Sequence, residues 1–240
     1  MVQANRKGAK AEKYVEATLE LIRERGGSYG VTLREVSKRL GYAHTNAYNY
    51  FTDFQDLLWA TLRRALIIYA EAIADGLTPA MRPAEYLERM LANYVGYGSK
   101  DPGLYRFISS DPLDPEKIPS DIIEAVVGMK TFFVDVVDTA CGNAASADAA
   151  LEIANILISY LDGEALALIN GRTLPGEDIA GRAVGNAMRI VQLMTARNHD
   201  GADLSAVEQT SAYPVLGVQS MAETMGIDFG SSEAHEGGAA

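Results

Sequence analysis

The chain has 240 residues, a net charge of −11 and one cysteine, Cys141. Its length suffices for a small domain beside a larger apolar core, and a single cysteine excludes an intramolecular disulfide. No segment approaches the roughly 20 consecutive apolar residues of a membrane span, and the first residues lack the apolar core of a signal peptide. The sequence therefore predicts a cytoplasmic protein with no membrane segment.

The charge is distributed unevenly along the chain. Residues 1–66 carry 11 basic and 7 acidic residues, whereas residues 67–240 carry 10 basic and 25 acidic ones. Such asymmetry is expected when one end of a protein faces phosphate and the rest repels it. The alternative is an ordinary acidic protein whose N-terminal part is only mildly basic.

An arm and an amphipathic helix open the chain. Residues 1–8 are expected to form a mobile arm that offers Lys7 to DNA. Apolar residues at helical spacing predict a helix over residues 9–25, and Gly26 and Gly27 end it. The apolar face of this helix should pack under the elements that follow.

The stretch from residue 32 to residue 58, TLREVSKRLGYAHTNAYNYFTDFQDLL, is typical of a helix-turn-helix. Thr32 and Glu35 form a capping box that begins a short helix, and Gly41 ends it. A second helix is predicted over residues 43–49, with short hydrogen-bonding side chains on its outer face that suit a major groove. A further capping box at Thr52 and Gln55 opens a long helix over residues 53–76.

From about residue 9 to residue 66 these features resemble the TetR family of transcriptional regulators. The resemblance implies an all-α protein in which an N-terminal three-helix DNA-binding domain is joined by the long helix to a C-terminal helical domain for ligand binding and dimerisation. Phe54 stands where the family usually has a phosphate-binding lysine. Asp53 beside it adds a negative charge, so DNA affinity is expected to be lower than is usual in the family, or the partner to differ from an ordinary operator.

The implied division is a DNA-binding domain at residues 1–52, a ligand-binding and dimerisation domain at residues 53–198, and a C-terminal extension at residues 199–240. The extension is expected to contain a short helix and a disordered tail. The residues expected to read base edges are His44, Thr45, Asn46 and Asn49. The further DNA-binding candidates are Lys7, Thr32, Arg34, Tyr42, Tyr48 and Tyr50.

Five more helices are predicted over residues 83–97, 101–108, 120–141, 146–170 and 175–197. In the family that the chain resembles, the last two helices form a four-helix interface with a second copy. The homodimer is therefore expected through residues 146–170 and 175–197. The alternative is that these two helices complete a monomeric bundle.

A ligand pocket is expected among the helices of the C-terminal domain. Its candidate walls are aromatic or weakly polar: Tyr94, Tyr97, Phe107, Met129, Phe133 and Tyr160. Such walls favour a largely apolar or aromatic effector. Asp162 and Glu164 lie in an otherwise apolar helix, where one of them is either a polar anchor in the pocket or an exposed or interface carboxylate.

Enzyme classes find no support in the sequence. His44, His199 and His235 are too scattered to pair with a nucleophile or to form a metal motif, and no glycine-rich phosphate loop is present. We therefore predict no catalytic residues, no metal and no cofactor. The expected partners are a double-stranded DNA operator, a small-molecule effector and a second copy of the chain.

The leading hypothesis is a repressor that its effector releases from DNA. The alternative is a small-molecule-binding protein of the same fold whose DNA binding is weakened or lost.

Overall fold

The computed structural model describes residues 2–142 and 146–199, and within these ranges every regular element is helical. The elements are α1 (Val2–Arg25), α2 (Leu33–Arg39), a 3₁₀ helix (His44–Asn49) that we call the recognition segment, α3 (Phe54–Ala74), α4 (Pro83–Lys100), α5 (Pro102–Ser109), a 3₁₀ turn (Pro115–Lys117), α6 (Ser120–Ala140), α7 (Ala147–Ile169) and α8 (Ile179–His199). The predicted all-α fold is confirmed. The predicted extension lies outside the described residues beyond His199.

None of the helices in the described ranges is long and apolar enough to cross a membrane.

The N-terminal head consists of α1, α2 and the recognition segment. At its centre lies Tyr14, which is fully buried. Its ring centroid lies 6.1 Å from that of Tyr42, 5.9 Å from that of Tyr50 and 6.0 Å from that of Phe51. Tyr42 precedes the recognition segment, and Tyr50 and Phe51 follow it. Because all three pack against Tyr14 of α1, this helix fixes the position of the segment.

The expected N-terminal arm was wrong, whereas the predicted second helix of the head is present as a 3₁₀ helix. α1 begins at Val2, so residues 2–8 are helical and do not form an arm. These residues include good helix formers and no proline, so only Gly8 weakens the helix. The recognition segment is a 3₁₀ helix of 6 residues that follows Ala43, and no side chain caps it. Thr45, Asn46 and Asn49 compete with the backbone for hydrogen bonds, which disfavours a regular α-helix.

The long helix α3 begins one residue later than the predicted capping box placed it. Asp53 is the residue that caps it, since its Oδ1 accepts a hydrogen bond from the Asp56 amide at 2.8 Å. The Asp56 Oδ2 accepts in turn from the Thr52 amide at 2.8 Å. Both carboxylates therefore stabilise the positive end of the helix dipole. The negative charge of Asp53 therefore stabilises the start of α3.

The body is a bundle of α4 to α8 with α3 running into it. α4 lies at its centre and packs against α3, α5, α6, α7 and α8. α8 begins at Ile179, four residues later than predicted, because Gly176 adopts a φ of 80° that interrupts a helix. The chain then enters α8 with the Asp178 Oδ1 accepting a hydrogen bond from the Gly181 amide at 2.9 Å.

Trp59, the only tryptophan of the chain, is buried in α3. Its indole Nε1 finds no hydrogen-bond partner in the described part of the chain. The structure gives it a packing role, since it belongs to the hydrophobic core shared by the head and the body.

Head and body meet where α5 crosses the end of α1. Gly103 makes the closest approach, because a Cβ added to it would lie 2.7 Å from the carbonyl oxygen of Ile22 and 3.0 Å from the Cα of Arg23. Both neighbours are backbone atoms, so they cannot move aside without shifting α1. Glycine is therefore required for α5 to seat against the head.

Replacing Gly103 with alanine should lower the free energy of unfolding by about 1–3 kcal/mol, because the added methyl group overpacks this joint. The matched control is Gly96→Ala in α4, where a Cβ would meet nothing within 4 Å. This change should raise the stability by roughly 0.5–1 kcal/mol through helix propensity. Urea unfolding measures both values; an equal effect of the two substitutions would contradict the close packing at Gly103.

Candidate nucleic-acid interface and ligand pocket

The outer face of the recognition segment consists of polar side chains without formal charge. His44, Thr45 and Asn49 are exposed, while Ala47 is fully buried and holds the segment to the head. Tyr48, one of the DNA-binding candidates, is 55% exposed. The exposed face thus carries hydrogen-bonding groups and one aromatic ring.

Two asparagines of the recognition segment hold each other. The Asn49 Nδ2 donates hydrogen bonds to the Asn46 Oδ1 and to the Asn46 carbonyl oxygen, each at 3.1 Å. Asn46 is half-buried, so its amide is less accessible than that of Asn49. The pair fixes the direction in which the Asn49 side chain points.

The other candidate DNA-binding residues divide into exposed and packed ones. Thr32 and Arg34 are exposed at the start of α2, where the Thr32 hydroxyl accepts from the Glu35 amide at 3.3 Å and donates to a Glu35 carboxylate oxygen at 3.0 Å. Tyr42 and Tyr50 are half-buried against Tyr14. The side chain of Lys7 lies outside the described residues.

Burial raises the pKa of the Tyr14 hydroxyl, so it stays neutral beneath the segment.

Ion pairs engage several of the cations in the head. Arg39 pairs with Glu20 and Glu24, Arg64 pairs with Glu16 at 3.2 Å, and Arg25 pairs with Glu35. The recognition segment itself contains no lysine, arginine or carboxylate. The net positive charge of the head is therefore less available to phosphate than the residue count indicates.

Phe54 is half-buried and packs against the core at the first turn of α3. A lysine at this position would lose that packing.

The body contains an apolar cavity of about 300 Å³. Helices α3, α4, α5, α6 and α7 enclose it. Its lining is predominantly apolar and consists of Leu62, Leu66, Tyr69, Ala70, Ile73, Ala74, Met90, Tyr94, Tyr105, Ile108, Ser109, Val126, Met129, Lys130, Phe132, Phe133, Ile158 and Asp162. The volume falls at the lower end of the range of pockets that hold small organic ligands.

Three of the six candidate wall residues, Tyr94, Met129 and Phe133, line this cavity. The other three lie elsewhere. Tyr97 and Phe107 are buried in the core, and the Tyr160 hydroxyl accepts a hydrogen bond at 3.0 Å from Asn186 of α8. Helical spacing places all six in the body but does not distinguish a cavity wall from solid core.

One corner of the cavity is polar. The Asp162 Oδ1 accepts a hydrogen bond from the Tyr94 hydroxyl at 2.7 Å and a second from the Tyr105 hydroxyl at 2.6 Å. Burial raises the pKa of both tyrosines far above the ordinary phenol value, and the negative charge of Asp162 raises it further. Both hydroxyls therefore stay protonated and act as donors to the carboxylate.

Tyr69 lies beside these two tyrosines: its ring centroid is 5.8 Å from that of Tyr94 and 6.3 Å from that of Tyr105. We name this cluster of Tyr69, Tyr94, Tyr105 and Asp162 the tyrosine corner. Sequence reasoning singled out Tyr94 and Asp162 but missed Tyr69 and Tyr105. Glu164, the other carboxylate considered, instead pairs with Arg182 of α8 at 2.8 Å.

Helix α5 contacts both the cavity and the head. Tyr105, Ile108 and Ser109 line the cavity. From the same helix, Arg106 donates hydrogen bonds to the carbonyl oxygen of Gly26 at 2.8 Å and to that of Ile169 at 2.9 Å. A single guanidinium thus ties the end of α1 to the end of α7.

The residues that flank α5 add to this connection. Asp101, which caps α5, forms an ion pair with Arg23 of α1 at 2.7 Å. Asp111, just beyond the helix, accepts a hydrogen bond from the Ser28 amide. Any displacement of α5 must therefore act on the end of α1.

Several solved structures share the overall arrangement of helices. A putative TetR-family transcriptional regulator from Vibrio parahaemolyticus has a TM-score of 0.58 and 17% identity, and the match covers 75% of this chain and 96% of that one. The fatty acid degradation regulator FadR from Bacillus halodurans has a TM-score of 0.57 and 15% identity, with coverage of 76% and 94%. A TetR-like regulator from Rhodococcus sp. RHA1 has a TM-score of 0.54 and 15% identity, with coverage of 79% and 95%.

The chain has the TetR-type fold. No protein-family model and no curated protein matches the sequence. The TetR-type fold is thus supported by the course of the helices, at sequence identities of 15–17% to the structures described above.

Replacing Arg106 with methionine should lower the free energy of unfolding by about 1–3 kcal/mol, because the apolar stem remains while the link between α1 and α7 is lost. Arg172→Met is the matched control, since Arg172 is exposed between α7 and α8. Its effect should stay within about 0.5 kcal/mol. Equal stabilities of the two variants in urea unfolding would show that Arg106 does not hold the joint.

Proposed function

We propose that the protein is a ligand-responsive, DNA-binding transcriptional regulator, and that it represses until an effector releases it from its operator. The observation that carries the proposal is the combination of an exposed polar recognition segment with an apolar cavity that α5 connects to the head. The structures that share its fold are named as transcriptional regulators. That shared fold supports the proposal by analogy.

On this proposal the recognition segment enters a major groove. His44, Thr45 and Asn49 present donors and acceptors to base edges, and Asn46 holds Asn49 in place. The phosphate contacts come from Tyr48 of the segment and from residues around it: Lys7, Thr32, Arg34, Tyr42 and Tyr50. In a dimer the two segments would reach half-sites about one helical turn, ~34 to 36 Å, apart.

The effector would occupy the cavity of the body. The apolar lining favours a small, largely apolar or aromatic molecule, with Tyr94, Met129 and Phe133 as contacts. Tyr97, Phe107 and Tyr160 act, on this proposal, as support behind the wall. A molecule that fills the cavity presses on α5 and α3 together, because both helices line it.

Coupling between the two sites would follow from the joint at α5. An effector that favours a shifted α5 also shifts α1 through Arg106, Asp101 and Asp111, and so alters the spacing of the two heads. By thermodynamic linkage, effector and operator then weaken each other by the same factor.

The proposed dimer interface is formed by α7 and α8. Each helix exposes a stripe of small, apolar and neutral polar residues: Asn155, Ile156, Ser159 and Gly163 on α7, and Gly185, Gln192, Leu193 and Ala196 on α8, where the exposed Arg189 lies on the same side. A Cβ added at Gly163 or Gly185 would meet nothing within 4 Å of the chain, so both stripes are smooth and open. Two copies can therefore approach closely and bury Leu193, which is 67% exposed in one chain.

Leu193→Glu should weaken dimerisation at least about tenfold, because dimerisation would bury an unpaired carboxylate. Light scattering after size exclusion, over a range of protein concentrations, measures the dissociation constant. Ile123→Glu is the matched control, since Ile123 is exposed on α6, outside the proposed interface. A dimer unaffected by Leu193→Glu, or a wild-type monomer, would contradict the proposed interface.

A second candidate function is a small-molecule-binding protein of this fold that no longer binds DNA. The absence of charge on the recognition segment, the ion pairs of Arg25 and Arg39, and the packing of Phe54 favour it. Both candidates predict ligand binding in the cavity. Only the regulator predicts specific binding to DNA.

Fluorescence anisotropy with the DNA upstream of the protein's own gene tests the regulator. Asn49→Ala should weaken specific binding by about 1–3 kcal/mol, because it removes a base contact, while it leaves binding to unrelated DNA unchanged. Arg34→Ala should weaken binding to all sequences and lower the salt slope by about one unit. Arg172→Ala, a change in an exposed residue of the body, should alter neither quantity.

If no sequence within that region is bound in preference to unrelated DNA at low salt, the regulator proposal fails. Ligand binding that persists in the same preparation would then support the second candidate.

A further inference from the structure

The tyrosine corner constrains the chemistry of the effector beyond its size and apolar character. The corner supplies most of the polar side chains in the cavity wall, together with Ser109 and Lys130. Each phenol has a single hydrogen, and those of Tyr94 and Tyr105 are both committed to the Asp162 Oδ1. Neither hydroxyl can donate to a ligand without leaving the carboxylate.

Ser109, which lines the cavity beside the tyrosine corner, is also committed as a donor. The Ser109 hydroxyl donates to the carbonyl oxygen of Tyr105 at 2.7 Å. Its oxygen can still accept a hydrogen bond, and so can the two phenol oxygens. The second oxygen of Asp162, Oδ2, accepts neither of the two phenol hydrogens. The corner thus offers a ligand a group of acceptors.

We propose that the effector presents a hydrogen-bond donor to the tyrosine corner, as a hydroxyl or ammonium group attached to an apolar or aromatic body. This inference rests on the proposed use of the cavity as the effector site. The donor contacts the Asp162 carboxylate and the oxygens of Tyr94 and Tyr105. Asp162 is half-buried, so a ligand of equal size without a donor would displace solvent from its carboxylate and give no hydrogen bond in return, which is costly in an apolar cavity.

The aromatic rings around Asp162 are compatible with both forms of donor. The ring of Phe133 lies 6.3 Å from that of Tyr94, so aromatic faces and edges surround the carboxylate. Such a wall accepts a flat aromatic body beside a hydroxyl, and its faces also attract an ammonium group. A carboxylate ligand is disfavoured at this corner because it would place a second negative charge beside Asp162.

Lys130 of α6 also lines the cavity and provides a cationic group. It belongs to a different helix from every member of the tyrosine corner. An acceptor elsewhere on the ligand is therefore compatible with the proposal, whereas the donor is specific to the corner.

Titration calorimetry on the full-length protein without DNA tests the inference with matched probes. 1-Naphthol and 1-methoxynaphthalene share a ring system and an oxygen, but only the first has a donor. We expect 1-naphthol to bind at least about tenfold more tightly, as is typical of a hydrogen bond to a charged group. 1-Naphthoate should bind more weakly than 1-naphthol. 1-Naphthylmethylammonium compared with 1-naphthylmethanol separates the ammonium form from the hydroxyl form.

Substitutions in the tyrosine corner test whether the preference for 1-naphthol over 1-methoxynaphthalene arises there. Asp162→Asn should reduce the ratio of 1-naphthol to 1-methoxynaphthalene affinities toward one, because the charged acceptor is lost. Tyr105→Phe provides a second test if Asp162→Asn does not fold, and it should lower the same ratio. Glu88→Gln, which removes one exposed carboxylate from α4, is the matched control and should leave the ratio unchanged.

Equal affinities for 1-naphthol and 1-methoxynaphthalene would overturn the inference, and so would a ratio that survives both corner variants. Tighter binding of 1-naphthoate than of 1-naphthol would also overturn the inference. These outcomes concern the ligand alone, so they are distinct from failure of the proposed regulator, which is detected as loss of specific DNA binding.

Discussion

The close contact between α5 and α1 at Gly103 is the constraint on which the rest of this molecule depends. Backbone approaches backbone there, so the two helices have one way of fitting together. The cap of α5, the guanidinium of Arg106 and the carboxylate of Asp111 all act within a few residues of that contact. Because well-packed joints are bistable more readily than they are continuously deformable, the proposed coupling requires that a small change on the cavity side of α5 have a discrete effect on the head.

The tyrosine corner and the contact between α5 and α1 both depend on residues of α5. This double role explains the composition of that short helix. In 8 residues, Pro102–Ser109, the helix provides a glycine for close approach, a tyrosine for the corner and an arginine for the link. Its burial on several sides leaves few positions free to vary without cost. In the proposed mechanism, ligand binding and its transmission to the head therefore depend on the same few side chains.

Local patterns in the sequence were sufficient to predict most helices, and they failed where a distant partner decides the outcome. The Thr32 cap and the apolar faces of α4 and α6 follow from neighbours a few residues away. The pairing of Tyr105 with Asp162 spans 57 residues and has no local signal. The recognition segment is helical as predicted but has the 3₁₀ form, because its polar residues suit a groove but are poor helix formers.

The burial of Trp59 has a practical consequence. Because the chain contains no other tryptophan, its tryptophan emission comes from one indole in the part of α3 that adjoins the head. α3 packs against α1, α4, α5 and α6, so this indole lies on the helix that contacts both the head and the cavity. The unlabelled protein thus carries an intrinsic optical reporter at the junction of head and body.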